Sequence, residues 1–420
     1  MKDLQLITIG ELELRGEAEL QTGPFGTQLK ASDYTSEGTP VINVRNIGFG
    51  NLREDHLEYL PEGKAAKLWQ HRLRPGDIVF GRKGAVERHA LIDMHADGWI
   101  QGSDCMRLRI NSASVCEKYL SYYLRTAAHQ DWMQALCSFG ATMSSLNQDI
   151  LRRLTFPAPV LKTQQKIAAI LSAYDDLIAN NQRRIALLER MAEDIYREWF
   201  VRLRFPGQDV LKTEKGVPLG WKLVSLGSLG TYLNGYAFDP SEWFSDGVPI
   251  IKIREMTSGV TADTPRNPGE SIQKRYHFGN GEIIFSWSAT LLVKIWDQGP
   301  GLLNQHLFKV TPNQGVPKSF LFFSLNFSLP IFEALTTGST MKHIKRKELE
   351  TVKVLLPPAD LLGKFDSVAA PILKQTLDLT RANRNLAATR DALLSRLISG
   401  KLAVDALDIR FPPEMAAAKQ

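Results

Sequence analysis

The sequence predicts an α+β protein: two globular mixed α/β domains, separated by two long helices that form an antiparallel coiled coil, the whole related by an internal pseudo-twofold repeat. Three observations carry this prediction. The chain repeats itself with a period near half its length. Inside each copy the texture changes once, from short β-branched runs to helical periodicity. Each change opens a long apolar stripe, over residues 162–201 and 360–399.

The repeat is read from matched segments that occur in the same order in both halves. LRPGDIVFGRKG (residues 73–84) matches FGNGEIIFSWSA (278–289), which pairs Gly76 with Gly281. FGATMSSLNQDILRRLTFPAP (139–159) matches TGSTMKHIKRKELETVKVLLPP (337–358), with Met143 against Met341. TPVINVRNI (39–47) pairs with VPIIKIREM (248–256), and QLITIG (5–10) with KLVSLG (222–227). The exits echo too, Arg204-Phe205-Pro206 against Arg410-Phe411-Pro412. A period this long means two whole modules and not a solenoid of short repeats.

Within the first module, β-branched runs at residues 41–44, 78–80 and 106–110 read as strands. Turn-rich stretches such as Gln21-Thr-Gly-Pro-Phe-Gly26 and Arg74-Pro-Gly-Asp77 separate them. Ser114-x-x-Glu117 reads as a capping box opening a helix through KYLSYYLRT. Its counterpart starts near Pro317 and runs through SFLFFSLNF. After FPAPV and LLPPAD the period becomes helical. The expected pairing stripe is Ile167, Leu171, Tyr174, Ile178, Asn181, Ile185, Leu188 and Ile195 on the first helix. On the second it is Phe365, Ile372, Leu379, Leu386 and Leu393, with Gly400 as a stop. Forty helical residues span about 60 Å, too long for the core of one small domain, so the two helices are expected to pair with a domain beside each end, the alternative being that each folds back on its own domain. Asn181 reads either as a buried residue that fixes pairing register or as a solvated residue at the stripe's edge. The resulting division is a domain over 1–160, a spacer helix over 161–203, a linker over 204–217, a second domain over 218–358, a second spacer helix over 359–400 and a tail over 401–420.

Composition sets the broad class. The 420 residues carry 51 Lys+Arg against 45 Asp+Glu, a net charge of +6, with 44% hydrophobic and 23% charged residues, which excludes wholesale disorder. Cys105, Cys116 and Cys137 form no CxxC pair, which disfavours a disulfide scaffold or zinc knuckle and points to the cytoplasm. Neither an apolar signal core nor an 18-residue apolar run is found. The basic excess permits nucleic acid as a partner without demanding it.

Catalytic signatures are missing. The sequence lacks a GxxxxGK[ST] loop, a glycine fingerprint after a strand, an Asp/Asn-Pro-Pro-aromatic loop, HExxH and G-x-S-x-G. Glu62-Gly-Lys64 has a nuclease-like spacing, with Asp55 as an acidic partner, but the second module lacks the feature. His89 and His95 belong to no ligand cluster, so no metal or cofactor is expected. The chain reads as a recogniser, not an enzyme. Its candidate DNA-binding residues sit in loops that differ between the copies: Arg45, Asn46, Arg82, Lys83, Arg88, Gln101, Ser144 and Asn147 in the first. In the second they are Lys252, Arg254, Trp287, Lys294, Asn304, Gln305 and His306, then Ser339, Thr340, Lys342, Lys345, Arg346 and Lys347. Arg reads guanine bidentately and Asn or Gln reads adenine, whereas the last cluster has the composition of a phosphate clamp.

The order of domains and helices, the repeated Gly-Asp/Glu-Ile-Val/Ile-Phe strand and the Thr-Met…Pro lead-in resemble the specificity subunits of type I restriction–modification systems. So do Gln164-Gln165-Lys166-Ile167-Ala168-Ala169-Ile170-Leu171 and the Arg396-Leu-Ile-Ser-Gly-Lys-Leu402 ending. The resemblance implies a non-catalytic subunit with two target recognition domains, each reading one half of a bipartite site on double-stranded DNA. It also implies helices that set the spacing and dock two methyltransferase subunits, with restriction/translocase subunits completing the complex. The second helix departs from the pattern, starting Leu361-Leu362-Gly363-Lys364-Phe365, which argues against equal docking through that segment. The competing readings are a coiled-coil scaffold without DNA specificity and a single-chain nuclease or methyltransferase with an unrecognised active site.

Overall fold

A computed structural model of the chain describes residues 5–137, 145–207, 212–214, 217–335, 344 and 346–412. They fall into two compact units, Met1–Leu177 with Leu386–Gln420, and Ile178–Asn385. Each unit therefore holds one mixed domain together with the adjoining parts of both long helices.

In the first unit a five-stranded sheet runs in the order Ala18–Thr22, Cys105–Ile110, Ile78–Gly81, His89–Leu91, Phe49–Gly50. A three-stranded sheet, Glu58–Leu60, Thr39–Ile42, Ile100–Gln101, lies beside it. Alternation along Cys105–Ile110 explains the layering. Met106, Leu108 and Ile110 enter the main core with Tyr119 and Leu120 of the helix Glu117–Leu124, while Arg107 and Arg109 face the other way. Those two arginines are held by carboxylates, Arg107 by Glu19 at 2.6 Å and Arg109 by Asp77 at 2.7 Å.

The second unit repeats this plan. Gly230–Asn234, Leu307–Pro312, Ile283–Ser286 and Leu292–Ile295 form one sheet in that order. Arg266–Asn267, Val248–Ile251, Gly301–Leu303 and His277–Phe278 form the other. An antiparallel ribbon closes each domain, Leu6–Thr8 with Thr155–Pro157 in one and Lys222–Ser225 with Lys353–Leu356 in the other. The central strands repeat in the same order, as the matched segments predicted, while the edges differ: Phe49–Gly50 extends the larger sheet of the first domain, and His277–Phe278 extends the smaller sheet of the second.

The long helices span Leu161–Tyr196, followed by a π turn over Arg197–Val201, and Ala359–Ile398. In the first unit the start of one packs with the end of the other: Ile167 and Leu171 share a core with Leu394, Leu397 and Ile398. In the second unit the ends are exchanged, Ala192, Tyr196 and Phe200 sharing a core with Leu361, Phe365 and Ile372. The helices therefore run antiparallel. Every residue of the expected stripe is buried or half-buried. Towards mid-helix, Ile178, Ile185, Leu188, Leu379 and Leu386 are half-buried, whereas Asn181 among them is buried.

One local expectation is corrected. Ser114 and Glu117 do not form a capping box. The N-cap of Glu117–Leu124 is Cys116, without a side-chain cap of its own. Its N–H is instead taken by Gln164 Oε1 at 2.9 Å, while Gln164 Nε2 donates to the carbonyls of Ser114 and Pro159. The cap comes from the long helix, 48 residues on.

Candidate nucleic-acid interface

The residues at the tips of the two domains are positioned by the same backbone scheme. In the first, Arg82 follows the strand Ile78–Gly81; its N–H donates to Asp104 O at 2.8 Å and its carbonyl accepts from Leu146 N–H at 2.8 Å. In the second, Trp287 follows Ile283–Ser286; its N–H donates to His306 O at 3.5 Å and its carbonyl accepts from Ile344 N–H at 2.9 Å. Glycines let the neighbouring loops cross closely, since a Cβ on Gly23 would lie 1.9 Å from Gly102 O and one on Gly235 would lie 2.2 Å from Asn304 O. Arg82 and Trp287, Asp104 and His306, and Gly102 and Asn304 thus occupy equivalent places with unlike side chains.

The first tip is cationic and aromatic. The Arg82 guanidinium sits 5.3 Å from the ring centroid of Phe25, itself 57% exposed. Arg88 sits 5.3 Å from that of Phe49. The Nε of each is buried and finds no hydrogen-bond partner among the described residues. Lys83 pairs loosely with Asp104 at 3.4 Å, and Arg45 pairs with Glu58 at 2.7 Å.

The second tip carries fewer formal charges. Lys252 Nζ lies 3.6 Å from the ring centroid of Trp243, and burial lowers the pKa of the ammonium, with Glu255 opposing and Arg254 reinforcing the shift. Trp287 stacks obliquely on His306 and Phe308, and its Nε1 donates to Asn234 at 3.2 Å. At the place of Lys252 and Trp243 the first domain has Asn43 and Tyr34, and Asn43 Nδ2 donates to Glu58 at 2.6 Å.

A family model for the type I restriction modification DNA specificity domain matches residues 28–190 and, a second time, 218–387. The chain belongs to this family. It is 26% identical over 307 residues to the type I restriction enzyme MjaIX specificity subunit of Methanocaldococcus jannaschii, covering 70% of this chain and 71% of that protein. It is 22% identical over 430 residues to the type I restriction enzyme HindI specificity subunit of Haemophilus influenzae, covering 86% and 93%. The fold is like that of a type I restriction–modification S subunit from M. genitalium, with a TM-score of 0.61 at 15% identity over 95% of this chain and 97% of that one. The role is that of a DNA sequence specificity subunit, non-catalytic by family, that binds DNA and assembles with other restriction–modification subunits.

Within this specificity subunit not every candidate reaches the tips. Asn46 is fully buried; its Oδ1 accepts from Asn43 N–H and its Nδ2 donates to the carbonyls of Arg53 and Asp55. Glu255 performs the same local cap for Lys252 N–H in the second copy. Gln101 is also fully buried and donates to Gln21 O and Cys105 O. Asn147 caps the helix Gln148–Arg152 through Ile150 N–H. Lys294 turns to Met256 O, and Arg254 is engaged by Glu255 and Thr261. These side chains shape the domains. Asn304 is nearly buried beneath the second tip, with Gln305 and His306 half-buried beside it.

Ser144, Ser339, Thr340, Lys342 and Lys345 lie outside the described residues. Arg346 and Lys347 are exposed, and Arg346 Nη2 also donates to Tyr232 O at 2.6 Å. Sequence reasoning missed Phe25, Phe49, Tyr34 and Trp243. The signal available was an aromatic residue in a turn-rich stretch of each copy. Among the described residues no cluster of three or more His, Cys, Asp or Glu is placed to hold a metal, and no helix is long and apolar enough to cross a membrane. His89 hydrogen-bonds to Ser121 in the core, His95 pairs with Glu54, and Lys64 pairs with Asp33.

Proposed function

We propose that each domain reads one half of an asymmetric bipartite site on double-stranded DNA, with residues 1–160 and 218–358 as the two target recognition domains. The linker over 204–217 and the tail over 401–420 complete this division. The observation that carries the reading is the equivalence of Arg82 with Trp287 under one backbone scheme: identical scaffolding with different chemistry at the tip suits two half-sites of different sequence. Arg82, Lys83, Arg88 and Arg45 serve the first half-site; Lys252, Trp287, Gln305 and His306 serve the second. Ser144, Ser339, Thr340, Lys342, Lys345, Arg346 and Lys347 serve the phosphate backbone.

The paired helices over 161–203 and 359–400 set the spacing and dock two methyltransferase subunits, which supply the adenine-N6 chemistry; restriction/translocase subunits join in the complete assembly. The setting is the cytoplasm. Single-molecule mapping of methyladenine in a host with and without the gene tests this. A bipartite asymmetric motif with a non-specific gap, absent when the gene is deleted, is the expected result. A continuous or palindromic motif overturns it.

A further inference from the structure

Asp175, on the first long helix, gathers side chains from two other elements of its unit, the helix Glu117–Leu124 with its C-cap Arg125 and the second long helix. It accepts from Tyr122 OH at 2.7 Å, from Arg125 Nη1 at 2.8 Å and from Arg390 Nη1 of the second long helix. Burial by itself would raise its pKa, but the two arginines and the phenol outweigh this and hold the carboxyl below its usual range. Arg125 lies on the Tyr122 ring, 4.4 Å from its centroid, and its Nη2 donates to Gly50 O at 3.4 Å. Gly50 has φ +85°, and a Cβ there would come within 2.1 Å of Arg125 Nε, so glycine is what lets the guanidinium reach that strand. The adjoining Phe49 carries Arg88 on its ring and pairs with His89, which bonds to Ser121 on the helix of Tyr122. A continuous chain of touching residues thus runs from a reading arginine to both spacer helices.

We propose that Asp175 is a positioning residue for recognition: it clamps the first recognition domain at a fixed angle on the spacer helices and so sets the gap length that the subunit accepts. This rests on the bipartite reading above. The geometry gives the reason. A rigid-body rotation of the domain on the helices displaces the whole reading tip while leaving its internal geometry intact. It therefore changes which gap is tolerated and not which bases are read. A carboxylate that ties the helix Glu117–Leu124 and its C-cap to both long helices resists that rotation. The second domain has a counterpart built from other residues. Arg384 of the second long helix donates to Asp297 Oδ2 at 2.9 Å and to Asp297 O, and Asp297 is 4% exposed.

The test uses the full-length chain assembled with its methyltransferase subunits. The duplexes carry the mapped half-sites separated by the native gap, or by one base pair fewer or more. Wild type is expected to prefer the native gap. Asp175→Asn should erode that preference roughly tenfold while leaving discrimination against base changes inside each half-site unaltered. Asp175→Glu should restore much of it. Arg384→Gln should produce the same erosion through the other domain, which keeps the test decisive should Asp175→Asn fold poorly. An unchanged gap preference in folded Asp175→Asn and Arg384→Gln overturns the proposal. So does a loss of affinity shared equally by all gaps and accompanied by loss of base discrimination. If wild type itself ignores gap length, it is the bipartite reading that fails.

Discussion

Asn181 donates from Nδ2 to Oδ1 of Asn383 at 2.9 Å, across the interface between the two long helices and 202 residues away in sequence. Asn383 Nδ2 in turn reaches Ile178 O at 3.4 Å. Asn181 is 4% exposed, so of its two readings the buried one holds. A polar pair at a coiled-coil seam is satisfied only when the helices align so that the two amides meet, whereas apolar neighbours tolerate sliding. Replacing Asn181 alone with Leu should leave Asn383 without its partner and destabilise the second unit by about 1–3 kcal/mol. Replacing both with Leu should recover that loss or exceed wild type, at the expense of a unique register. Chemical denaturation of the two variants checks the sign of the coupling, and interhelical cross-linking checks the register.

The departure at the start of the second spacer helix has a local cause. Gln164 is fully buried and satisfies the N–H of Cys116, just before the helix Glu117–Leu124. In the second copy the residue just before the corresponding helix Lys318–Leu335 is Pro317, which has no N–H, and the place of Gln164 is taken by the buried Leu362. Donor and acceptor disappear together. Gln164→Leu should therefore cost the first unit about 1–3 kcal/mol by orphaning a buried donor, and Leu362→Gln should cost the second a similar amount by burying an amide. Thermal unfolding of both variants measures this. If Gln164→Leu were neutral, the motif would have to be read as a partner-docking surface instead. Lys166 points to the same internal role, since its ammonium donates to the carbonyls of Val404, Asp405 and Leu407 within the first unit.

Two buried histidines predict that the first unit loses stability in acid. Burial lowers the pKa of His129 to about 4, and burial, with Arg125 and His129 adding, lowers His89 well below its ordinary value. The neutral forms are the folded ones. Because the folded-state values lie below the unfolded ones, the unfolded chain binds more protons as pH falls, and stability is lost between about pH 6.5 and 4. For His129 alone the shift corresponds to about 3 kcal/mol. His129→Phe, which keeps ring packing on Tyr123 and Trp132, should flatten the decline seen by urea denaturation across that range. An unaltered slope would assign the acid sensitivity elsewhere.

How far the sequence could be read depended on which interactions repeat. Duplication, strand order and the apolar helix stripe follow from periodicity, and periodicity is a property of the chain itself. The side chains that face the tips were harder. Asn46 and Gln101 have base-reading chemistry and loop positions, yet both spend their hydrogen bonds inside the fold, Asn46 as a local cap and Gln101 across a strand crossing. Composition cannot separate a polar residue that faces DNA from one that closes a turn. The aromatic partners Phe25 and Trp243 went unnoticed because nothing in spacing relates Phe25 to Arg82 or Trp243 to Lys252; the folded loops bring them together.

The two kinds of cation predict two kinds of binding defect. Arg82 stands at the first tip, stacked on Phe25, so Arg82→Ala should weaken discrimination at one or two base pairs of a single half-site by about 1–3 kcal/mol and leave the other half-site unaffected. Lys252→Ala should do the same for the other half. Lys347 is exposed beside Arg346 on the short helix Arg346–Thr351, and it belongs to the cationic run that begins at Lys342. Replacing Lys345, Arg346 and Lys347 with Ala should weaken binding to every duplex and flatten the salt dependence, by roughly 0.9 in the log–log slope for each phosphate no longer neutralised. Arg346 also supports Tyr232 O, so Lys347→Ala is the cleaner single variant. Mobility shifts of the assembled methyltransferase across a salt series, on the mapped site and on half-site mutants, separate the two classes. A change of base preference from the Lys347 variant, without general loss of affinity, would move this run from the backbone to the bases.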